Sequence, residues 1–302
     1  MDLSRATTEA RNPDTLQLDR LSSLEIVTLM NREDRRVPEA VELVLPVVAQ
    51  VVDAAAERLA RGGRLFYVGA GTSGRLGVLD ASECPPTFGT NPEQVQGILA
   101  GGLKAFSRSV EEAEDDPLAG AAELEQRGLS ADDVVVGISA SGRTPFVLGA
   151  VRRGREVGAA TAGIYCNPSA PLADLVEHGI LLEVGPEVLS GSTRLKAGTA
   201  TKMVLNMIST AAMVRNGRCL GNLMIDVMPS CDKLRDRSVR ILSDASGLDR
   251  EEAARILEQA GGELRLATVM ARGQLGADQA RELLASSPDL RQALERAQAS
   301  RP

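Results

Sequence analysis

The sequence predicts an α/β protein: a parallel five-stranded sheet flanked by helices, plus a small C-terminal helical bundle. Three observations carry this reading. Five short apolar runs that read as strands recur between residues 64 and 184. Helical stretches lie between most of them, which is the alternation of βαβ units and a sheet covered on both faces. After about residue 246 the strand signal stops and short amphipathic helices replace it.

The elements follow in order. Residues 1–36 are polar and read as an arm, with one short helix within 18–34. Residues 38–61 carry apolar residues at helical spacing. Pro38 fits a first helical position, and Pro46 should kink this helix or mark a second start. RLFYVG at 64–69, VQGILA at 95–100, DVVVGIS at 133–139, ATAGIYC at 160–166 and GILLEV at 179–184 read as buried strands. Helical stretches follow the first strand at 74–83 and precede the third at 119–128 and the fourth at 145–158. A long helix spans 193–217 and ends at Asn216-Gly217, a normal helix stop. Three helices are expected in the tail, at 249–262, 263–273 and 277–287. The expected division is an N-terminal arm with helices at 1–62, a sheet domain at 63–245 and a three-helix domain at 246–302.

Composition excludes several classes. With 302 residues, 43% apolar and 25% charged, the chain is neither disordered nor a small stapled scaffold. A net charge of −7 leaves no basic footprint, and two Tyr, four Phe and no Trp leave no stacking platform. No nucleic-acid partner is expected. Cys84, Cys166, Cys219 and Cys231 lie far apart, and His178 is the one histidine. That pattern is neither a disulfide framework nor a zinc site, and the cysteines are expected to be inert. The N-terminal stretch has acids and no apolar core, so no secretory signal is expected. No apolar run approaches the roughly 20 residues of a membrane helix. The expectation is a cytoplasmic protein with no membrane partner.

Residues 69–74, GAGTSG, formally satisfy the dinucleotide fingerprint. That fingerprint also needs an acid at the end of the second strand to hold the ribose. Here the second strand runs into Ala100-Gly101-Gly102, with Glu93 at its other end. The phosphate-loop pattern fails as well, because no G-K-[ST] follows. What remains is a set of backbone amides with Gly71, Thr72 and Ser73 at a helix start, a place that attracts an anion. SASGRT at 139–144 repeats the arrangement after the third strand, with Pro145 opening the next helix. Ser139, Ser141 and Thr144 offer three hydroxyls around one turn, which suits a phosphate group. Ordinary capping and turn chemistry would use the same residue types. Two such loops at the carboxyl ends of parallel strands favour a ligand site.

These loops resemble the SIS (sugar isomerase) fold of phosphosugar-binding proteins. Further stretches resemble one family within it, the N-acetylmuramic acid 6-phosphate etherases. They are TEARNP at 8–13, LDRLSSLEIVTLMNRED at 18–34, DASECPPTFG at 80–89, EEAEDD at 111–116 and STRLKAGTATKMVLNMIST at 192–210. The resemblance covers nearly the whole chain. It implies cleavage of the D-lactyl ether of N-acetylmuramate 6-phosphate in cell-wall recycling, a homodimer, no cofactor and no metal.

An unactivated ether resists direct hydrolysis. Opening the sugar to its aldehyde acidifies the C2 proton, so a base can remove it while an acid protonates the departing C3 oxygen. Water then adds to the double bond. With one histidine in the chain, carboxylates are the natural choice for both groups. Glu83 is expected to close the helix that starts at the glycine loop, just before Cys84-Pro85-Pro86. The negative end of the helix dipole and apolar flanks favour the protonated, donating form there, although an ordinary surface acid would occupy the same place. Glu114 lies in an acidic run that by itself reads as a solvated face. The resemblance implies that Glu83 is the proton donor and Glu114 the second catalytic glutamate. Ser192, Thr193, Arg194 and Lys196, at the start of the long helix, are candidates for help in holding the anionic substrate, with Lys202 further along it, although solvated helix charges would read the same way. Two other readings remain: an aldose–ketose phosphosugar isomerase, and a non-catalytic sugar-phosphate sensor.

Overall fold

The computed structural model describes residues 7–107, 111–227, 232–287 and 289–299. Cys231 lies outside the described residues. The chain divides into two compact units, one of residues 1–82 and 92–212, the other of 83–91 and 213–302.

The first unit is built on five parallel strands: β1 (Leu65–Gly69), β2 (Val95–Leu99), β3 (Val134–Ile138), β4 (Ala160–Tyr165) and β5 (His178–Leu181). Their order is β2-β1-β3-β4-β5, with Gly69 paired to Leu99 on one side and to Ile138 on the other. Every residue of β1, β3 and β4 is buried, as a sheet covered on both faces requires. The strand ends are pinned by Arg64, whose Nε and Nη2 reach the two oxygens of Asp133 at 3.1 and 2.7 Å. This order reverses between β1 and β3. Open α/β sheets bind their ligands in the crevice at such a switch point, outside the carboxyl ends of the strands.

The helices preceding the sheet are α1 (Ser23–Asp34), α2 (Arg36–Glu42) and α3 (Leu45–Ala60). Ser22 and Glu25 close a capping box at the start of α1. Pro38 falls inside α2, and Pro46 stands in the first turn of α3, so the second start is the one the chain adopts. Next come α4 (Gly71–Phe88), α5 (Lys104–Ser107), α6 (Pro117–Gln126) and α7 (Pro145–Val157). Helices α6 and α7 meet backbone to backbone. A Cβ on Gly120 would strike the Phe146 carbonyl, and one on Gly149 would strike the Pro117 carbonyl.

Helix α8 (Lys196–Arg215) begins three residues later than the periodicity suggests. Its first amides are capped from a distance: Lys196 N and Ala197 N donate to the Glu187 carboxylate at 3.0 and 2.9 Å. No local sequence signal marks such a cap.

In the second unit, a hairpin of β6 (Cys219–Leu220) and β7 (Leu223–Met224) precedes α9 (Asp232–Ser246), α10 (Arg250–Gln259), α11 (Leu264–Gly273), α12 (Ala277–Ala285) and α13 (Leu290–Ala299). Its core includes Ile241, Leu257, Leu266, Val269 and Leu294. Three helices were expected after residue 246, and the described residues there hold four. The added one, α13, buries Leu290, Ala293, Leu294 and Ala297 as a single stripe, with Asp289 capping Gln292 N.

Candidate active site

The site is built from the loops that leave the sheet at the switch point. β1 ends at Gly69 and α4 starts two residues later. Side chains on Gly69 or Gly74 would collide with the backbone of the other, so this strand-to-helix turn closes only with glycine at both positions. Gly71 (φ 51°) makes the turn and Thr72 follows, leaving the first amides of α4 open to an anion. Beside it, the loop after β3 gathers three hydroxyls. Ser139 Oγ lies 3.2 Å from Ser141 Oγ and 2.9 Å from Thr144 Oγ1. It also accepts from Gly142 N at 3.0 Å, while Ser141 Oγ accepts from Arg143 N at 3.2 Å. Thr144 occupies the N-cap of α7 without using its side chain as a cap, so its hydroxyl belongs to the cluster.

A cavity of about 820 Å³ opens on this side of the first unit. Its wall takes Gly71 and Thr72 from the glycine loop, Arg75 from α4 and Ala105 from α5. Glu114 and Asp115 come from the acidic run, and Gly191, Ser192, Thr193 and Arg194 from the segment before α8. The cavity thus brings together Gly71, Thr72, Glu114, Ser192, Thr193 and Arg194 from the sequence candidates. Ser73, Ser139, Ser141 and Thr144 are not in its wall, although the loops that carry them leave adjacent strands. Sequence reasoning passed over Arg75 and Asp115. Arg75 had a readable signal, since it lies four residues after Gly71 and so on the same helix face. Its guanidinium donates to the Ala105 carbonyl at 2.8 Å and to Phe106 O at 3.0 Å.

Two candidates stand differently from expectation. Helix α4 does not stop at Glu83. It runs through Pro85-Pro86 to Phe88, leaving the Ala81 and Ser82 carbonyls without their usual amide donors. Glu83 is exposed, in the part of α4 that belongs to the second unit, and more than a turn from the helix end. The dipole and apolar-flank arguments therefore do not apply to it. One turn earlier, Asp80 is buried. Burial pushes its carboxyl up, against the pull of Asn206, Ser209, Tyr67 and Lys202.

Lys196 does not reach the cavity. It is buried, with Nζ donating to Glu33 Oε2 and to Pro186 O, each at 2.7 Å. Burial pushes the nearby Glu187 carboxyl up, although the α8 amides and Lys196 pull the other way. Burial and the Glu187 charge push the Cys166 thiol up to about 12, so it stays protonated. Lys202 is exposed on α8, and His178 is half-buried on β5. Among the described residues, no three His, Cys, Asp or Glu side chains gather as metal ligands. No helix there is long and apolar enough to cross a membrane.

Comparison with known proteins gives this geometry a family. Residues 47–154 match the glucokinase regulatory protein N-terminal SIS domain, and residues 119–211 match the SIS domain. A solved phosphoheptose isomerase from Francisella tularensis is 16% identical, with a TM-score of 0.47 over 64% of this chain and 100% of that one. The N-acetylmuramic acid 6-phosphate etherase of Yersinia pestis (strain Pestoides F) is 52% identical over 292 residues, 97% of each chain. That of Rubrobacter xylanophilus is 55% identical over 284 residues, 94% of each chain. With such identity sustained along almost its whole length, the chain belongs to the N-acetylmuramic acid 6-phosphate etherase family.

Proposed function

We propose that this protein cleaves the D-lactyl ether of N-acetylmuramate 6-phosphate, giving N-acetylglucosamine 6-phosphate and D-lactate. It is a carbon–oxygen lyase of cell-wall amino-sugar recycling. The observation that carries the reading is the 55% identity over 94% of both chains with an etherase. The cavity adds a carboxylate, Glu114, beside loops suited to an anion.

In this reading the Ser139, Ser141 and Thr144 hydroxyls hold the phosphate, aided by the amides and hydroxyls of Gly71, Thr72 and Ser73 and by Ser192. Glu114 removes the C2 proton of the open-chain sugar. The electron pair forms the C2–C3 double bond, the C3–O bond breaks, and Glu83 protonates the lactate oxygen. Water then adds across the double bond, its hydroxyl to C3 and a proton to C2. Each positioned proton transfer is worth on the order of 10²–10⁴-fold. Lys196 takes no part in substrate contact, because Glu33 and Pro186 already engage its ammonium.

The protein works in the cytoplasm as a homodimer on a small phosphosugar, without nucleic acid. Leu24 and Val27 on α1, Leu43 between α2 and α3, and Leu45 at the start of α3 are exposed apolar side chains that a second copy would cover.

The deciding experiment incubates the protein with N-acetylmuramate 6-phosphate and measures D-lactate. The expected result is lactate and N-acetylglucosamine 6-phosphate in equal amounts. A ketose product without lactate would favour the isomerase, and binding without turnover the sensor.

A further inference from the structure

The cavity beside Glu114 holds two arginines in different states. Arg75 is tied down by the Ala105 and Phe106 carbonyls. Arg194 is exposed in the same wall and has no hydrogen-bond or ion-pair partner among the described residues. The backbone that carries it is nonetheless fixed. Thr193 N donates to Gly191 O at 3.0 Å, Leu195 N to Ser192 O at 3.2 Å and Gly191 N to Thr8 O at 3.2 Å. Ser190 Oγ donates to Glu9 O at 3.0 Å, and the Glu187 cap follows at the start of α8. A held backbone with an uncommitted guanidinium is prepared for an anion.

On the reaction proposed above, the substrate carries two anions. The phosphate is at C6 and the carboxylate is on the lactyl arm at C3. The loops after β1 and β3 supply neutral donors for the phosphate, which leaves the carboxylate without a partner. Glu114 acts at C2, next to the carbon that bears the lactyl arm. The carboxylate is therefore delivered to the Glu114 side of the substrate. There Glu114 and Asp115 would repel it unless a cation intervened. The planar fork of arginine matches a carboxylate in two parallel hydrogen bonds. We propose that Arg194 binds the lactyl carboxylate, and that through it the site distinguishes its substrate from phosphosugars without that arm.

The test compares Arg194→Ala and Arg194→Lys with the unmutated protein. Two quantities are read: KM for N-acetylmuramate 6-phosphate, and inhibition by N-acetylglucosamine 6-phosphate, which keeps the phosphate and lacks the carboxylate. The expected result is a KM raised about tenfold to a hundredfold in Arg194→Ala, a smaller rise in Arg194→Lys, and unchanged inhibition in both. Equal weakening of substrate and inhibitor would move Arg194 to the phosphate and overturn the proposal. An unchanged KM in Arg194→Ala would overturn it too. If the unmutated protein releases no lactate, the etherase reading is what fails. Calorimetric binding of N-acetylmuramate 6-phosphate to the same variants then decides the role of Arg194 by itself.

Discussion

Lys196 Nζ lies 2.7 Å from Glu33 Oε2, and both side chains are 1% exposed. Asn12 Nδ2 donates to the same oxygen at 2.9 Å, and Pro186 O accepts from the ammonium. One buried pair thus joins the N-terminal arm, α1, the segment before α8 and α8 itself. The neighbouring residues 191–194 form one wall of the cavity.

Removing one partner leaves the other charge buried and uncompensated, which costs about 3–5 kcal/mol. Lys196→Met should therefore lower the urea midpoint strongly. A substrate-contact role for Lys196 would instead leave the midpoint in place and raise KM. For Glu33, burial pushes its carboxyl up, but the hydrogen bond and charge of Lys196, then Arg36 and Asn12, hold it below the usual carboxylate range. A lowered carboxyl contributes stability above its unfolded-state value and loses it as pH falls through the folded-state value. In Glu33→Gln that part of the acid dependence should vanish.

Asp133 makes the same kind of prediction at the other end of the sheet. Burial pushes its carboxyl up, yet Arg64 and the Ser130 and Arg64 amides bring it below the ordinary range. Asp133→Asn should cost about 2 kcal/mol at neutral pH, the scale of hydrogen bonds to a charged group. Its stability should also fall less steeply into acid than that of the unmutated protein. Denaturation curves at a series of pH values check both, and parallel curves would refute the assignment.

The hydroxyl loop should separate binding from stability. Ser141→Ala should raise KM about tenfold, the loss of one hydrogen bond to a charged group, with a smaller loss of stability than Ser139→Ala, because the Arg143 amide it accepts from is only part-buried. Ser139→Ala should raise KM similarly and also lose about 1 kcal/mol of stability, because Ser139 Oγ accepts from Gly142 N. An unchanged KM in both variants would remove this loop from the phosphate site.

The two glutamates should fail at different steps. Glu83→Gln keeps the base, so it should exchange the C2 hydrogen with solvent deuterium while releasing almost no lactate. Glu114→Gln should do neither. Deuterium at C2 of recovered substrate, read by mass spectrometry, gives the answer. Exchange surviving only in Glu114→Gln would swap the two roles.

The strands could be read from sequence because each is a short apolar run between helical stretches, and β1, β3 and β4 are buried on both faces, a signal contained within the run itself. The glycine and serine loops could be read because turns that admit little but glycine must spell themselves out. Other features depend on residues far apart in the chain. Lys196 looks like a helix-start cation until Glu33, from another element, takes its ammonium. The start of α8 is set by Glu187, nine residues before it. Glu83 was misplaced because two prolines ordinarily end a helix, and α4 carries them inside. The hairpin of β6 and β7, two residues a strand, is too short to show a period.

Where α6 crosses α7, the touching atoms are backbone carbonyls and glycine α-carbons. Pro117, on one side, comes two residues after Asp115. Phe146, on the other, comes two residues after Thr144. The crossing therefore works as a gauge block between the acidic segment with Glu114 and the hydroxyl loop. Its length is set by atomic radii, with no rotamer that can lengthen or shorten it. On the reaction proposed above, side-chain substitutions in the cavity can retune affinity, but the span from Glu114 to the hydroxyl loop is not theirs to adjust. A substrate with a longer reach from phosphate to acidic carbon would require both helices to be laid down again.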